Sequence, residues 1–283
     1  YEKILKQYKP KIVFLVCFYR TDGMALSLAC SRLKINLVDY QHGSQNDFHP
    51  MYSNWNSVPK EGYEIIPDYF WMWGDIFAKK IKIWSSMINK HDTFIGGNLW
   101  FSFVKSNYFP YAMGHNKNNL FFNDSKKITI LFTLQGDDYF PDFLLDYLNT
   151  YKNKYNFIFR DHPRLPLSDE LKGNLKLTSQ SRIDEISNLD LYVLLKNIDI
   201  HMTAFSTVAF EAQSLNKPTI FYHNNAINGF ANLIGRNGFY FADNDIEFEN
   251  TIKKILKIKG NNLQYIKNDF VKKDLSSLSR RIS

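Results

Sequence analysis

Cysteine is scarce. Cys17 and Cys30 are the only two in 283 residues, so there is no disulfide framework, and a reducing compartment suits the chain. Long hydrophobic runs are missing too: the apolar stretches stop far short of the ~20 residues that cross a bilayer. The first residues do not read as a signal peptide. Neither GxxxxGK[ST] nor GxGxxG occurs, so the familiar glycine-rich phosphate cradles are excluded. The net charge is +7, yet residues 1–250 contribute nothing to it, holding 26 basic and 26 acidic side chains. The excess sits in 251–283, where nine basic residues face only Asp269 and Asp274. Most aromatic residues fall inside apolar runs. A neutral body of this kind does not track a nucleic-acid backbone.

What is present is globular. Hydrophobic residues make up 45% and charged residues 22% of the chain, which excludes disorder, and the length corresponds to about two domains at ~150 residues each. Lys11–Tyr19 is a nearly continuous apolar run and predicts a strand buried on both faces. A turn at Thr21-Asp22-Gly23 leads into a helix over 24–33, and 35–40 predicts a second strand. That βαβ unit implies parallel strands. Strands follow at 67–73 and 93–95, with a helix over 75–88 between them. Residues 105–127 lack periodicity and read as a linker. A second alternating series then predicts strands at 127–134, 155–160, 198–202 and 218–222, with helices over 140–151, 184–195 and 206–215. The expected fold is α/β, two Rossmann-like doubly wound domains facing a cleft. We place the domains at 1–118 and 119–258, followed by a basic helical segment at 259–283.

Ligands of open α/β sheets bind beyond the carboxyl ends of the strands, so polar residues there are the candidates. Asp22 follows the first strand and reads either as a catalytic acid or as a helix cap worth ~1 kcal/mol. His42 follows the second strand in Gln41-His42-Gly43-Ser44-Gln45, with Gly43 allowing close backbone approach. Its ordinary pKa near 6.5 suits a general base; the alternative is a loop histidine. His49 is a weaker candidate. In Gln135-Gly136-Asp137-Asp138 the glycine admits a phosphate, whereas the acids oppose one or cap the next helix. Arg160, His162 and Arg164 form a candidate anion clamp at a strand end, against a plain solvated turn. Ser206 and Thr207 open a helix and can present hydroxyls to an anion. Glu211, further along that helix, can accept bonds from ribose hydroxyls. The histidines are scattered, and no metal-ligating cluster stands out.

VDYQHGS at 38–44, PDYFWMWGD at 67–75, FIGGN at 94–98, FRDHPR at 159–164 and TAFSTVAFEAQSLNKPTIFY at 203–222 together resemble bacterial two-Rossmann (GT-B) transferases of surface polysaccharides. The similar families are the capsule and teichoic-acid enzymes, including CDP-glycerol glycerophosphotransferases, and the CMP-sugar sialyl- and Kdo-type transferases. The resemblance covers about 11–260. It implies that His162-Pro163 and Ser206-Thr207 hold the donor nucleotide and its phosphate, with Glu211 on the ribose. It also implies that His42 acts on the acceptor side, or, in the sialyltransferase pattern, Asp22; no clean Asp/Glu-Asp-Gly motif supports the latter. One or two βα units normally precede the strand at 11–19, so the first domain is expected to be truncated.

The expected activity is metal-independent transfer of a nucleotide-activated sugar or polyol phosphate, CMP- or CDP-linked, onto a surface glycan or lipid-linked glycan. No cofactor is expected beyond that donor substrate. Two alternatives remain: a nucleotide-sugar 2-epimerase of the same fold, and a non-catalytic nucleotide- or glycan-binding module of a larger synthase. In the tail, Leu263, Ile266, Phe270, Val271, Leu275 and Leu278 recur at helical spacing among lysines. That segment reads as a terminal helix packing back on the body or as an anchor for an anionic membrane surface. The expected location is cytoplasmic, peripheral on the inner face of the membrane.

Overall fold

The computed structural model describes residues 1–259 apart from 44, 46–48, 54, 89, 105–126, 152–153, 180–182 and 237. The linker expected at 105–127, all but its last residue, and the segment at 260–283 lie outside the described residues. The chain divides into two compact units, one within 1–109 and the other within 110–267.

The first unit runs α1 (Glu2–Tyr8), β1 (Ile12–Leu15), α2 (Thr21–Leu33), β2 (Asn36–Tyr40), β3 (Tyr69–Met72), α3 (Asp75–Ser85), β4 (Asp92–Ile95) and α4 (Leu99–Val104). Its sheet is parallel in the order β1-β2-β3-β4. In register, Val38 of β2 lies between Phe14 and Tyr69. The expectation of a first strand buried on both faces is corrected. β1 is only four residues long and lies at the end of the sheet order, with Phe14 50% and Val16 51% exposed. An apolar run reports low polarity, but not whether a second sheet neighbour covers it. Behind the sheet, Phe18, Tyr52, Phe70 and Trp84 are fully buried. Their rings meet edge to face, Phe18 on Tyr52 at 5.4 Å and Phe70 on Trp84 at 6.1 Å between centroids. Burying such a side chain contributes about 3 kcal/mol each. This cluster holds the loop after β1 in place.

Gly23 seats α2 against that loop. A Cβ there would stand 2.6 Å from the Phe18 carbonyl oxygen and 2.8 Å from that of Cys17. No side chain fits in that space. The helix therefore starts hard against the turn that leaves β1.

The second unit runs β5 (Thr129–Thr133), a 3-10 turn (Asp137–Tyr139), α5 (Leu144–Thr150), β6 (Asn156–Arg160), α6 (Asp169–Ser179), α7 (Ile183–Ser187) and α8 (Leu191–Lys196). It continues with β7 (Ile200–Thr203), α9 (Val208–Ser214), β8 (Thr219–Phe221), α10 (Asn224–Phe230), β9 (Phe239–Phe241) and α11 (Asp245–Lys259). All pairings are parallel, in the order β6-β5-β7-β8-β9. β5 lies between β6 and β7 and is wholly buried, as its sequence TILFT predicts. The single helix expected over 184–195 is two. The first ends at Ser187, and Asp190, with an extended backbone, caps α8 by accepting from the Tyr192 and Val193 amides at 2.8 and 3.1 Å. An Asp there favours the start of a new helix over continuation of the old one.

Inside this sheet one polar chain crosses three strands. His201 is fully buried on β7, with Nε2 2.9 Å from Thr133 Oγ1 and Nδ1 3.0 Å from Thr219 Oγ1. Burial drives its pKa down to about 3. It is a neutral structural histidine tying β5, β7 and β8 together.

Candidate functional site

In the second unit the chain leaves β5 toward β6 on one side, and β7 lies on the other side. That reversal of direction opens a crevice at the carboxyl ends of β5 and β7, the usual ligand position of such sheets. Gln135 follows β5 there. Its Oε1 accepts from the Phe205 amide at 3.0 Å and from Thr203 Oγ1 at 3.3 Å, bracing the segment after β7 against the segment after β5. Gly136 adopts φ 89°, ψ 172°, a conformation open essentially to glycine alone. Asp137 does not cap a regular helix as one alternative held. Its Oδ1 accepts from the Ser168 amide at 2.9 Å, and the Ser168 side chain first, then this amide, lower its carboxyl pKa. Ser206 and Thr207, both half-buried, follow β7 at the same sheet end. Ser206 Oγ accepts from the Val208 amide at 3.3 Å, while Thr207 makes no side-chain cap.

The loop after β6 supplies the clamp residues. His162 Nδ1 accepts two backbone amides, those of Arg164 and Leu165, both at 3.1 Å. That fixes the tautomer: in the neutral ring the proton sits on Nε2, which is left to donate. Desolvation is the main cause holding the His162 pKa below the usual value. The ring is thus a neutral N–H donor on a half-exposed loop. Arg160, at the end of β6, has a buried Nε with no partner and lies close enough to Asp190 and Glu211 to feel both charges. Glu211 accepts from Tyr192 Oη at 2.7 Å, and burial raises its pKa against the opposing pull of Tyr192 and Arg160.

Two contributors here were not singled out from the sequence. Asp161 is buried, and its Oδ1 accepts from the His162 and Leu167 amides at 2.9 Å, while Oδ2 pairs with Lys172 Nζ at 2.8 Å. It shapes the loop that presents His162. The only signal was its place between Arg160 and His162. Tyr192 was hidden in a helix that reads as core.

In the first unit the carboxyl ends of β1 and β2 bring Cys17, Tyr19 and His42 together. Cys17 Sγ is 3.1 Å from His42 Nε2, and Tyr19 Oη is 3.5 Å from the same nitrogen. Desolvation, then the charge of His49, hold the His42 pKa below its usual value, so the imidazole is neutral at neutral pH and able to take a proton. His49 packs on Tyr19 at 5.0 Å and Tyr52 at 4.7 Å between ring centroids. Beneath them Asp39 is buried and accepts from Tyr52 Oη at 2.7 Å, and burial pushes its pKa up to about 7. Asp22 borders a hollow of about 760 Å³ that is also lined by Tyr19, Arg20, Thr21 and Ala25. It is exposed, paired with Arg20 Nε at 3.1 Å, and held low by that bond. It makes no helix cap, since the N-cap of α2 is Arg20. Nothing among the described residues lies within 4 Å of where a Gly43 Cβ would be, so the space beside this backbone is open. Its carbonyl accepts from Gln41 Nε2 at 2.9 Å, while Gln41 Oε1 accepts from the Trp73 amide at 2.7 Å.

The geometry of the second unit coincides with a sequence match. Residues 132–228 match the CDP-Glycerol:Poly(glycerophosphate) glycerophosphotransferase family. The matched stretch runs from β5 into α10 and contains every second-unit candidate, Gln135 through Glu211. It bears out the resemblance to GT-B surface-polysaccharide transferases. No curated protein matches the sequence. Among solved structures, UDP-GlcNAc 2-epimerase from Neisseria meningitidis bound to UDP-GlcNAc aligns with TM-score 0.64 and 16% identity, over 95% of this chain and 75% of that one. UDP-GlcNAc 2-epimerase from Methanocaldococcus jannaschii aligns with TM-score 0.58 and 19% identity, over 99% and 78%. The S. aureus MnaA-UDP co-structure aligns with TM-score 0.59 and 13% identity, over 96% and 73%. These likenesses establish the fold, two parallel-sheet Rossmann-like units.

Among the described residues no group of three or more His, Cys, Asp and Glu is placed to hold a metal ion. Nor is any helix among them long and apolar enough to cross a membrane.

Proposed function

We propose that this chain is a transferase that moves a CMP- or CDP-linked sugar or polyol phosphate onto a surface glycan or lipid-linked glycan. One observation carries the reading. The glycerophosphotransferase match spans the loop in which two backbone amides fix His162 as an Nε2–H donor. A neutral donor of this kind binds a phosphate oxygen without first needing a proton. Arg160 and Arg164 add positive charge to the same strand end, and the Ser206 and Thr207 hydroxyls border the crevice beside it. Together these groups stabilise the charge that develops on the leaving nucleotide, without a divalent cation. Glu211, oriented by Tyr192, accepts from a ribose diol, and Gln135 and Gly136 shape the crevice floor. In the first unit neutral His42 takes the proton of the acceptor hydroxyl; Asp22, held low by Arg20, is the weaker base.

Thermal shift against CMP, CDP, UDP and GDP identifies the nucleotide. Transfer from the matching donor, read by mass spectrometry with EDTA present, then tests the reaction. Stabilisation by CMP or CDP with acceptor-dependent product supports the reading. Donor isomerisation without acceptor indicates a 2-epimerase, and stabilisation by no nucleotide indicates a non-catalytic module.

The basic stretch 251–283 is part of the proposal as a contact with anionic lipid on the inner face of the membrane. Its described part, within α11, exposes Lys253, Lys254 and Lys257. Each such lysine near an anionic surface contributes about 1 kcal/mol. Liposome binding that survives deletion of 261–283 would remove this part of the reading.

A further inference from the structure

The pair Cys17 and His42 has a chemistry of its own. Cys17 follows β1 in a left-handed backbone conformation, φ 63°, which a β-carbon-bearing residue adopts only when its surroundings impose it. The surroundings here are the carbonyls of Cys17 and Phe18, pressed against Gly23 of α2. The turn aims the sulfur at the residue that follows β2. Sγ lies 3.1 Å from His42 Nε2 and 3.7 Å from Nδ1, and Tyr19 Oη stands 3.7 Å from the same sulfur. A nucleophile with a proton acceptor in contact and a hydroxyl beside it is the arrangement that activates a thiol. His42 is exposed and Cys17 partly so, and the hollow lined by Tyr19, Arg20, Thr21, Asp22 and Ala25 opens next to them. The other thiol provides the contrast. Cys30 is fully buried in α2 among Leu5, Ala29 and Leu37, and burial raises its pKa to about 11.

We propose that Cys17 and His42 form a reactive thiol–imidazole pair that takes a low-molecular-weight disulfide as substrate. The Cys17 sulfur attacks one sulfur of the disulfide while its proton passes to His42. The disulfide's S–S bond breaks and a mixed disulfide forms on Cys17. The departing thiolate leaves as a free thiol after taking the proton from His42. The step consumes one protein thiol and one small disulfide, and yields one mixed disulfide and one small thiol. A reductant reverses it. The adduct sits against His42, so transfer stops while it is in place; this consequence alone rests on the reading of His42 as the transfer base.

The probe is 5,5′-dithiobis(2-nitrobenzoate), itself a small disulfide, followed by release of thionitrobenzoate on the folded full chain. Peptide mass mapping assigns the labelled thiol. Cys17 is expected to react at least about ten-fold faster than Cys30, and about ten-fold slower in His42→Asn whose melting curve is unchanged. Cys17→Ser, or Cys17→Gly if the serine chain melts early, is expected to abolish the fast phase. Equal rates for the two cysteines, or a rate unaffected by His42→Asn, would overturn the proposal. Transfer by the labelled chain, before and after dithiothreitol, separates the two readings. Loss with full recovery supports both. Fast labelling with undiminished transfer supports the pair and takes His42 out of the transfer reaction.

Discussion

Gln135 Oε1 accepts the Phe205 amide at 3.0 Å, joining the end of β5 to the segment that carries Ser206 and Thr207. The bond spans seventy residues of sequence and crosses the point where the sheet reverses its winding. Replacing Gln135 with Leu removes the acceptor and leaves a half-buried N–H unpaired, a cost of about 1–3 kcal/mol. The expected outcome is a melting temperature several degrees lower and a larger fractional loss of nucleotide-induced stabilisation. A Gln135→Leu chain that binds nucleotide as the parent does would show that the brace plays no part in the site.

His162 offers a sharper test, because its ring orientation is fixed by backbone amides and not by another side chain. His162→Ala removes the Nε2–H donor and is expected to lower turnover by about 10²–10³-fold, the usual cost of losing one positioned donor. The fold should hold, since Asp161 and Lys172 keep the loop together. The pH dependence is part of the same prediction. The His162 pKa is lowered, and the neutral ring already donates from Nε2, so rates should need no protonation of this residue. Near-normal turnover in His162→Ala, by continuous assay of nucleotide release, would remove the clamp.

Much of this was legible in the sequence. The βα alternation in KIVFLVCFY, INLVDY, KITILFTL and YNFIFR gives the parallel strands directly, because strands covered by helices need apolar residues at consecutive positions. The strand ends then pointed to His42, His162 and the Ser206-Thr207 pair. What stayed hidden depends on contacts between residues far apart in the chain. Nothing local says that Asp161 shapes the loop of its neighbour, that Tyr192 donates to Glu211, or that Cys17 leaves its strand to meet His42. The apolar run around Cys17 even argued against the last, since a buried strand residue would not turn outward. The edge position of β1 was equally silent, because it is set by the sheet order alone.

His42 and Asp22 are separated by the direction of their pKa shifts. His42 is held below its ordinary 6.5, so it accepts a proton throughout the neutral range and loses that capacity only as pH falls through its lowered value. If it is the base, kcat/KM should show an acid limb below pH ~6.5, and His42→Ala should lose about 10²–10⁴-fold and lose the limb with it. Asp22 is tied to Arg20 and stays ionised to lower pH still. Asp22→Asn is expected to change turnover only slightly. A large effect of Asp22→Asn beside a mild one of His42→Ala would reverse the assignment.

His201 governs stability and not chemistry, and its sign can be worked out. Unfolded, it titrates near 6.5; folded, burial holds it at about 3. Between those values the unfolded chain binds the proton and the folded chain does not. Its contribution is therefore complete above pH ~6.5 and is lost as pH falls toward 3, at roughly 1.4 kcal/mol per pH unit. From pH 7 to pH 5 the loss is about 2 kcal/mol. His201→Gln keeps a polar group between Thr133 and Thr219 but cannot titrate. It should lower stability at pH 7 by about 1–3 kcal/mol through imperfect bonding, yet flatten the slope between pH 7 and pH 5. Urea midpoints at the two pH values measure both terms. A His201→Gln chain that loses as much stability on acidification as the parent would show that the acid sensitivity resides elsewhere, with His91 the next group to test, since burial lowers it also.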